Sequence, residues 1–205
     1  MRRKKRAIPF LTCCILFAIF WSACSKNGHM HETVSATEQT MELSFITIGK
    51  GDAFLLKTPE NTFYMYDTGK KEDYAQIKKT LEAKQVSEIK GIFLSHGHKD
   101  HVGNVKHLLK DYPVETVYIS GADQASYEGK EICELDEKYP ITIKYLKEET
   151  LNLEGVTADI WVPKRCDFQN PNNNSMIIRF SYGEQSCLLT GDMEYGCLLY
   201  TSRCV

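Results

Sequence analysis

The chain has 205 residues, 42% of them apolar and 25% charged. That is enough for one domain of about 150 residues with appendages, and it excludes collagen-like, coiled-coil and wholly disordered chains. The formal charge is -2, but Arg2, Arg3, Lys4, Lys5 and Arg6 crowd the start, and from residue 24 onward 20 basic side chains face 27 acidic ones, a net -7 that argues against broad charge-driven nucleic-acid binding.

After the basic cluster, Ala7 to Trp21 is an apolar run of 15 residues, short for a bilayer span and typical of a signal-peptide core. Ser22, Ala23 and Cys24 follow, and the segment resembles a bacterial lipoprotein signal. The resemblance implies that residues 1–23 are removed and that Cys24 is lipidated, which holds the body at the membrane surface. Trp21 stands where that family prefers Leu, Val or Ile, so an ordinary secretory signal and an uncleaved anchor stay open. All three place the body outside the cytoplasm. Residues 24–40 are polar and without apolar periodicity, as in a flexible tether.

From residue 41 strands and helices alternate. Leu43 to Ile48 and Phe54 to Lys57 are short apolar runs around the turn Gly49-Lys50-Gly51-Asp52, and Thr62 to Tyr66 is a third strand that ends at Asp67-Thr68-Gly69. Tyr74, Ile77 and Leu81 share a helical face. Ile89 to Leu94 reads as a buried strand, helical spacing resumes at Val102, Val105, Leu108 and Leu109, and Pro113 ends it before the strand Val114 to Ile119. Strand, helix, strand with short connections predicts a parallel unit. Ile141 to Leu146, Ala158 to Val162, Ser175 to Phe180 and Ser186 to Leu189 add strands, so the fold class is α/β.

The chemistry gathers after the Ile89 to Leu94 strand, in Ser95-His96-Gly97-His98-Lys99-Asp100-His101. His96 and His98 are two apart, so in an extended segment both imidazoles project to the same side. Asp100 and His101 fall where the chain turns into a helix. Three histidines and an aspartate at the carboxyl end of a parallel strand form a metal-site pattern. Nitrogen and carboxylate donors suit zinc first, with manganese or iron behind it.

The pattern HxHxDH resembles the metallo-β-lactamase superfamily, and three further segments resemble it in the same order: ITIGKGDAFLL, FYMYDTG, and NNNSMIIRFSYGEQSCLLTGDME. Within it, the extracellular domains of competence-type DNA-uptake proteins and the phosphorylcholine esterase modules of choline-binding proteins are most similar. His98 stands where competence-type domains commonly have Asp, which tilts the reading toward the esterase branch. The resemblance implies an αββα sandwich over residues 41–196, incomplete at its C-terminal side, with two metal ions. It makes His96 and His98 ligands of one ion, Asp100 and His101 ligands of the second, Asp192 a bridge, and Asp67 a support behind them. The place of a further histidine is taken by Asn172-Asn173-Asn174-Ser175.

The final segment, Cys197 to Val205, reads CLLYTSRCV and resembles the translation of two joined transposon mosaic ends. Residues 197–205 are therefore set aside, with the gene expected to be cut off near Gly196. Cys133, Cys166 and Cys187 fit no metal-knuckle spacing, so packing is the default for each.

The expected function is that of a surface-tethered, metal-dependent hydrolase, with a metal-activated hydroxide attacking a phosphodiester and Asp100 orienting the nucleophile. A small or cell-wall-linked phosphodiester is favoured over nucleic acid by the acidic body. A nuclease of the competence type, a lactam or thioester hydrolase and a non-catalytic metal-binding module remain alternatives.

Overall fold

The computed structural model describes residues 39–125 and 127–195. The signal and tether readings, with Cys24, and the 197–205 segment lie outside them, apart from the last two tether residues. Among the described residues ten strands form two sheets. The first has the order β1-β2-β3-β4-β5-β6, from Glu42–Phe45, Ala53–Lys57, Phe63–Thr68, Ile89–Leu94, Val114–Ser120 and Thr142–Leu146. β1, β2 and β3 pair antiparallel, whereas β3 to β6 run parallel. The second is an antiparallel meander of β7 (Glu149–Leu153), β8 (Val156–Trp161), β9 (Ile177–Tyr182) and β10 (Gln185–Leu189).

Alternation along the strands decides the layers. Leu55, Met65, Ile92, Leu94, Val117 and Ile119 point to the helical side of the first sheet. There they meet α1 (Tyr74–Ala83), the short α2 (Lys99–Val102), α3 (Val105–Asp111) and α4 (Tyr127–Cys133), through buried Ile77, Leu81, Val105, Leu108 and Ile132. Leu56, Tyr64, Tyr66, Phe93 and Leu146 face the other way, onto Val156, Ala158, Ile160, Ile178 and Phe180 of the second sheet. Among the described residues the layers are helix, sheet, sheet. The exposed face of the second sheet carries Thr157, Asp159 and Arg179, with Leu188 as its exposed apolar member. No helix among the described residues is long and apolar enough to cross a membrane.

The predicted α/β architecture is what forms. Three details differ. The expected helix over Val102 to Leu109 is two helices, because the Gly103 amide turns aside to donate to Gly69 O at 2.9 Å. Strand β7 and helix α4 were not anticipated. β7 forms because Leu151 and Leu153 alternate inward, and because Glu154 (φ 44) and Gly155 (φ 92) supply the left-handed turn that a tight hairpin needs.

Phe93 joins the two sheets. It is fully buried and stacks on Tyr118 at 4.4 Å, with Phe180 edge-on at 6.1 Å from the facing sheet. Phe93→Ala is expected to cost about 3–5 kcal/mol in urea unfolding, from lost transfer energy and the cavity left behind.

Candidate metal centre

The centre lies at the carboxyl ends of β3 and β4, where parallel strands open a crevice. It begins with a bulge. β2 and β3 pair Phe54 with Tyr66 and Ala53 with Thr68, so Asp67 is the extra residue between them. Its φ of 55 is left-handed, a conformation that aspartate tolerates better than most side chains. The bulge turns the Asp67 carboxylate inward, where it is fully buried.

Both carboxylate oxygens are occupied. Oδ1 accepts the Ser95 amide at 2.7 Å; Oδ2 accepts the Ser95 hydroxyl at 2.7 Å and lies 2.8 Å from His101 Nδ1. The bond to Asp67 puts a proton on His101 Nδ1 and turns Nε2 outward. Nε2 is buried, has no hydrogen-bond partner and lies 3.3 Å from Asp192 Oδ1. A buried nitrogen without a partner, facing a carboxylate, fits a cation between them.

Two groups of ligand atoms converge within 4.8 Å of one another: His96, His101 and Asp192, and Asp52, Asp67 and His101. His98 joins from the rim, its Nδ1 2.9 Å from His96 Nε2. Behind the ring, His96 Nδ1 rests 3.0 Å from Ser95 Oγ and 3.3 Å from Ser175 Oγ. Asp192 arrives on the turn after β10. Gly191 permits its approach, since a Cβ there would stand 2.7 Å from Ser95 Cβ.

Of the residues singled out in the sequence, His96, His98, His101, Asp67 and Asp192 come together. Asp100 belongs to neither group. It is half-buried, its backbone packs on Gly51, and it lines a neighbouring cleft. Asp52 went unrecognised as a site residue; the reason for the glycine before it shows only in the structure, where a Cβ on Gly51 (φ 95) would stand 2.0 Å from Asp100 O. Ser95 was also missed, and Asn172 and Ser175 were marked only as members of their stretch; the Asn172 carboxamide lies against His96.

The electrostatics describe a cation site. Burial, with His101 and His98 nearby, lowers His96 to about 3, so its ring is neutral. Burial opposes charge on His101 too. The hydrogen bond and charge of Asp67, with Asp192 and Asp52, outweigh it and lift His101 to about 9. Burial also raises Asp52, and Asp192 and Asp100 push it the same way. Without metal, a proton on His101 offsets some of this crowded negative charge. Bound metal ions would do so more completely, and the donor set fits them: imidazoles with carboxylates.

Comparison with known proteins agrees. Residues 46–203 match the family model described as the metallo-beta-lactamase superfamily. ComE operon protein 3 of Bacillus subtilis is 23% identical over 203 residues, covering 90% of this chain and 24% of the relative. A hydroxyacylglutathione hydrolase of Salmonella newport is 35% identical over 94 residues, 43% of this chain and 36% of that protein. The chain therefore spans about a quarter to a third of the length of these relatives. Among solved structures, a motif variant of a metallo-beta-lactamase from Cronobacter sakazakii has a TM-score of 0.54 at 21% identity, covering 72% of this chain and 60% of that one. The metallo-beta-lactamase GOB-18 from Elizabethkingia meningoseptica has a TM-score of 0.54 at 20% identity, covering 74% and 59%. Both establish the fold.

The raised His101 value sets a pH dependence for the metal-free protein. Its contribution to stability is complete below the ordinary value of 6.5 and is lost as pH rises through about 9. Histidine NMR should place the His101 midpoint near 9, and Asp67→Asn, which keeps the bulge but removes the charge, should move it down. An unmoved midpoint would show that Asp67 does not set it.

Proposed function

The chain belongs to the metallo-beta-lactamase superfamily, and from that premise we propose that it is a metal-dependent hydrolase, acting on phosphodiesters outside the cytoplasm from a tether at Cys24. The observation that carries the metal-dependent reading is the buried Nε2 of His101, without a hydrogen bond and facing the Asp192 carboxylate beside His96. His96, His98, His101, Asp52 and Asp192 would hold the metal, with zinc suited first and manganese or iron next. When bound, it supplies Lewis acidity and a water of lowered pKa.

The remaining work falls to the chain itself. Asp67 fixes the His101 ring and its tautomer, and Ser95 fixes Asp67. Ser175 and Asn172, on the turn that leads into β9, hold His96 from the other side. Asp100, at the junction with the cleft, orients the attacking water and accepts its proton on a carboxylate oxygen. Lys99, exposed one residue before it, meets the negative charge of the substrate. Exposed cationic side chains beside the centre favour an anionic substrate over a neutral one. That is the reason for preferring a phosphodiester.

A second reading has its own support. The relative named hydroxyacylglutathione hydrolase acts, by its name, on an acylglutathione, and the 94 matched residues make thioester hydrolysis the alternative.

Purified protein supplied with zinc or manganese is expected to turn over bis-p-nitrophenyl phosphate and to leave nitrocefin intact. Chelation should abolish that activity. His96→Ala should remove it, and Asp67→Ala should lower metal affinity or activity about 10–100-fold. Turnover of an acylglutathione thioester with none of the diester would select the second reading; bound metal with no turnover of any of these would select a non-catalytic module.

A further inference from the structure

Beside the centre lies a cleft of about 510 Å³. Asp100 stands on its wall and is followed directly by His101 of the centre, so the cleft and the centre adjoin. Its lining includes four lysines, Lys70, Lys71, Lys99 and Lys106, against three carboxylates, those of Glu72, Glu131 and Asp100 itself. On a body with a net charge of -7 from residue 24 onward, this is a local reversal of sign.

Among the described residues none of these lysines is held in an ion pair, whereas Lys78, Lys84, Lys90 and Lys144 each meet a carboxylate. Lys71, Lys99 and Lys106 are exposed and Lys70 is half-exposed, so their charges are available to a ligand.

The backbones that carry them are fixed. Lys70 and Lys71 follow β3; Lys99 opens α2 and Lys106 lies in α3. The two walls are stitched together beneath the cleft by three residues. Gly103 N donates to Gly69 O at 2.9 Å. Buried Asn104 donates through Nδ2 to Thr68 O at 2.8 Å and to Lys70 O, and through its amide to Thr68 Oγ1 at 3.2 Å. The Thr68 hydroxyl donates in turn to His101 O at 2.9 Å. A Cβ on Gly103 would stand 2.6 Å from Lys71 N, so the walls meet as closely as backbone allows. Ligand binding here does not have to order the two walls.

The composition of the lining narrows the ligand. Its described members include no Phe, Tyr or Trp, and single-stranded nucleic acids are usually held by bases stacked on aromatic rings. What the cleft offers instead is ammonium groups for phosphates and the Glu72 and Glu131 carboxylates as acceptors for hydroxyl groups.

We infer that this cleft is a subsite for the non-reacting phosphates of a polymeric substrate, a phosphodiester-linked chain of polyol or sugar units running from the lysines to the metal centre. The inference rests on the phosphodiesterase reading above and narrows it from a single diester to a polymer without bases.

Binding and turnover separate the two. Fluorescence anisotropy with zinc-treated protein would compare a labelled glycerol-phosphate oligomer with a labelled oligothymidylate of equal charge, in the original protein and in the double variant Lys99→Glu, Lys106→Glu. The glycerol-phosphate oligomer is expected to bind the original protein at least tenfold more tightly than the oligothymidylate, and the double variant is expected to lose about tenfold or more of that affinity. The salt dependence should become shallower, as when backbone phosphate contacts are removed. Lys79→Glu, an exposed change on α1 outside the cleft, should not reproduce the loss. Circular dichroism of each variant checks that it is folded, and Lys99→Gln, Lys106→Gln repeats the test without added negative charge.

Equal or tighter binding of the oligothymidylate would overturn the inference in favour of a polynucleotide, and unchanged affinity in both double variants would show that the lysines are not the subsite. Kinetics isolate the parent reading. Bis-p-nitrophenyl phosphate turnover with no lysine-dependent polymer binding defeats the cleft alone. Lysine-dependent binding without turnover of any diester defeats the phosphodiesterase reading and leaves a polyanion-binding site.

Discussion

One buried carboxylate orders the centre. Asp67 spends both oxygens on Ser95 and His101, three contacts of 2.7 to 2.8 Å in a place with no solvent exposure. A buried charge is tolerated only where it is paired and hydrogen-bonded, and here the pairing also fixes function. Ser95 directly follows β4 and opens the histidine segment, so Asp67 anchors that segment at its root. Through His101 it reaches the far side of the same segment. The bulge that aims Asp67 and the left-handed φ that accompanies it are local costs, offset by this convergence.

The parts of this arrangement that a linear reading reveals are those whose signal is local. Ile89–Leu94 is recognisable because Ile89, Ile92, Phe93 and Leu94 are apolar and fall on both faces, and the histidines stand out because two-residue spacing in an extended segment has a geometric meaning. Asp52 has no such local mark. It matters because β2 and β3 bring it back against residues far along the chain, and only the close packing of Gly51 on Asp100 shows why glycine precedes it. Asn172 and Ser175 are hidden for the same reason, since their significance is a contact with His96 far along the chain, and that of Ser95 is its bonds to Asp67 on the neighbouring strand. β7 was masked by the charged Lys147-Glu148-Glu149 approach, since its inward side reduces to Leu151 and Leu153.

Charge is arranged in two neighbouring compartments of opposite sign. In one, Asp52, Asp67 and Asp192 surround His101 and raise its basicity. In the other, lysines rise from a stitched backbone floor. Asp100 stands between them, its main chain pressed on Gly51 and its side chain at the cleft. Such adjacency suits a substrate that is itself anionic, because attraction on approach and neutralisation at the reacting group then come from different side chains.

The parallel run of β3 to β6 has a consequence for how such a chain can change over time. Parallel strands deliver their carboxyl ends to one rim, and β3 and β4 lead there into Asp67 and into the segment from Ser95 to His101. At the opposite rim the described residues make joinery, such as Ile89 N bonded to Pro113 O at 2.9 Å and Lys90 paired with Glu115. Lineages can therefore rewrite the loops of that lower rim, lengthening or recharging them, while the chemistry at the upper rim is inherited intact.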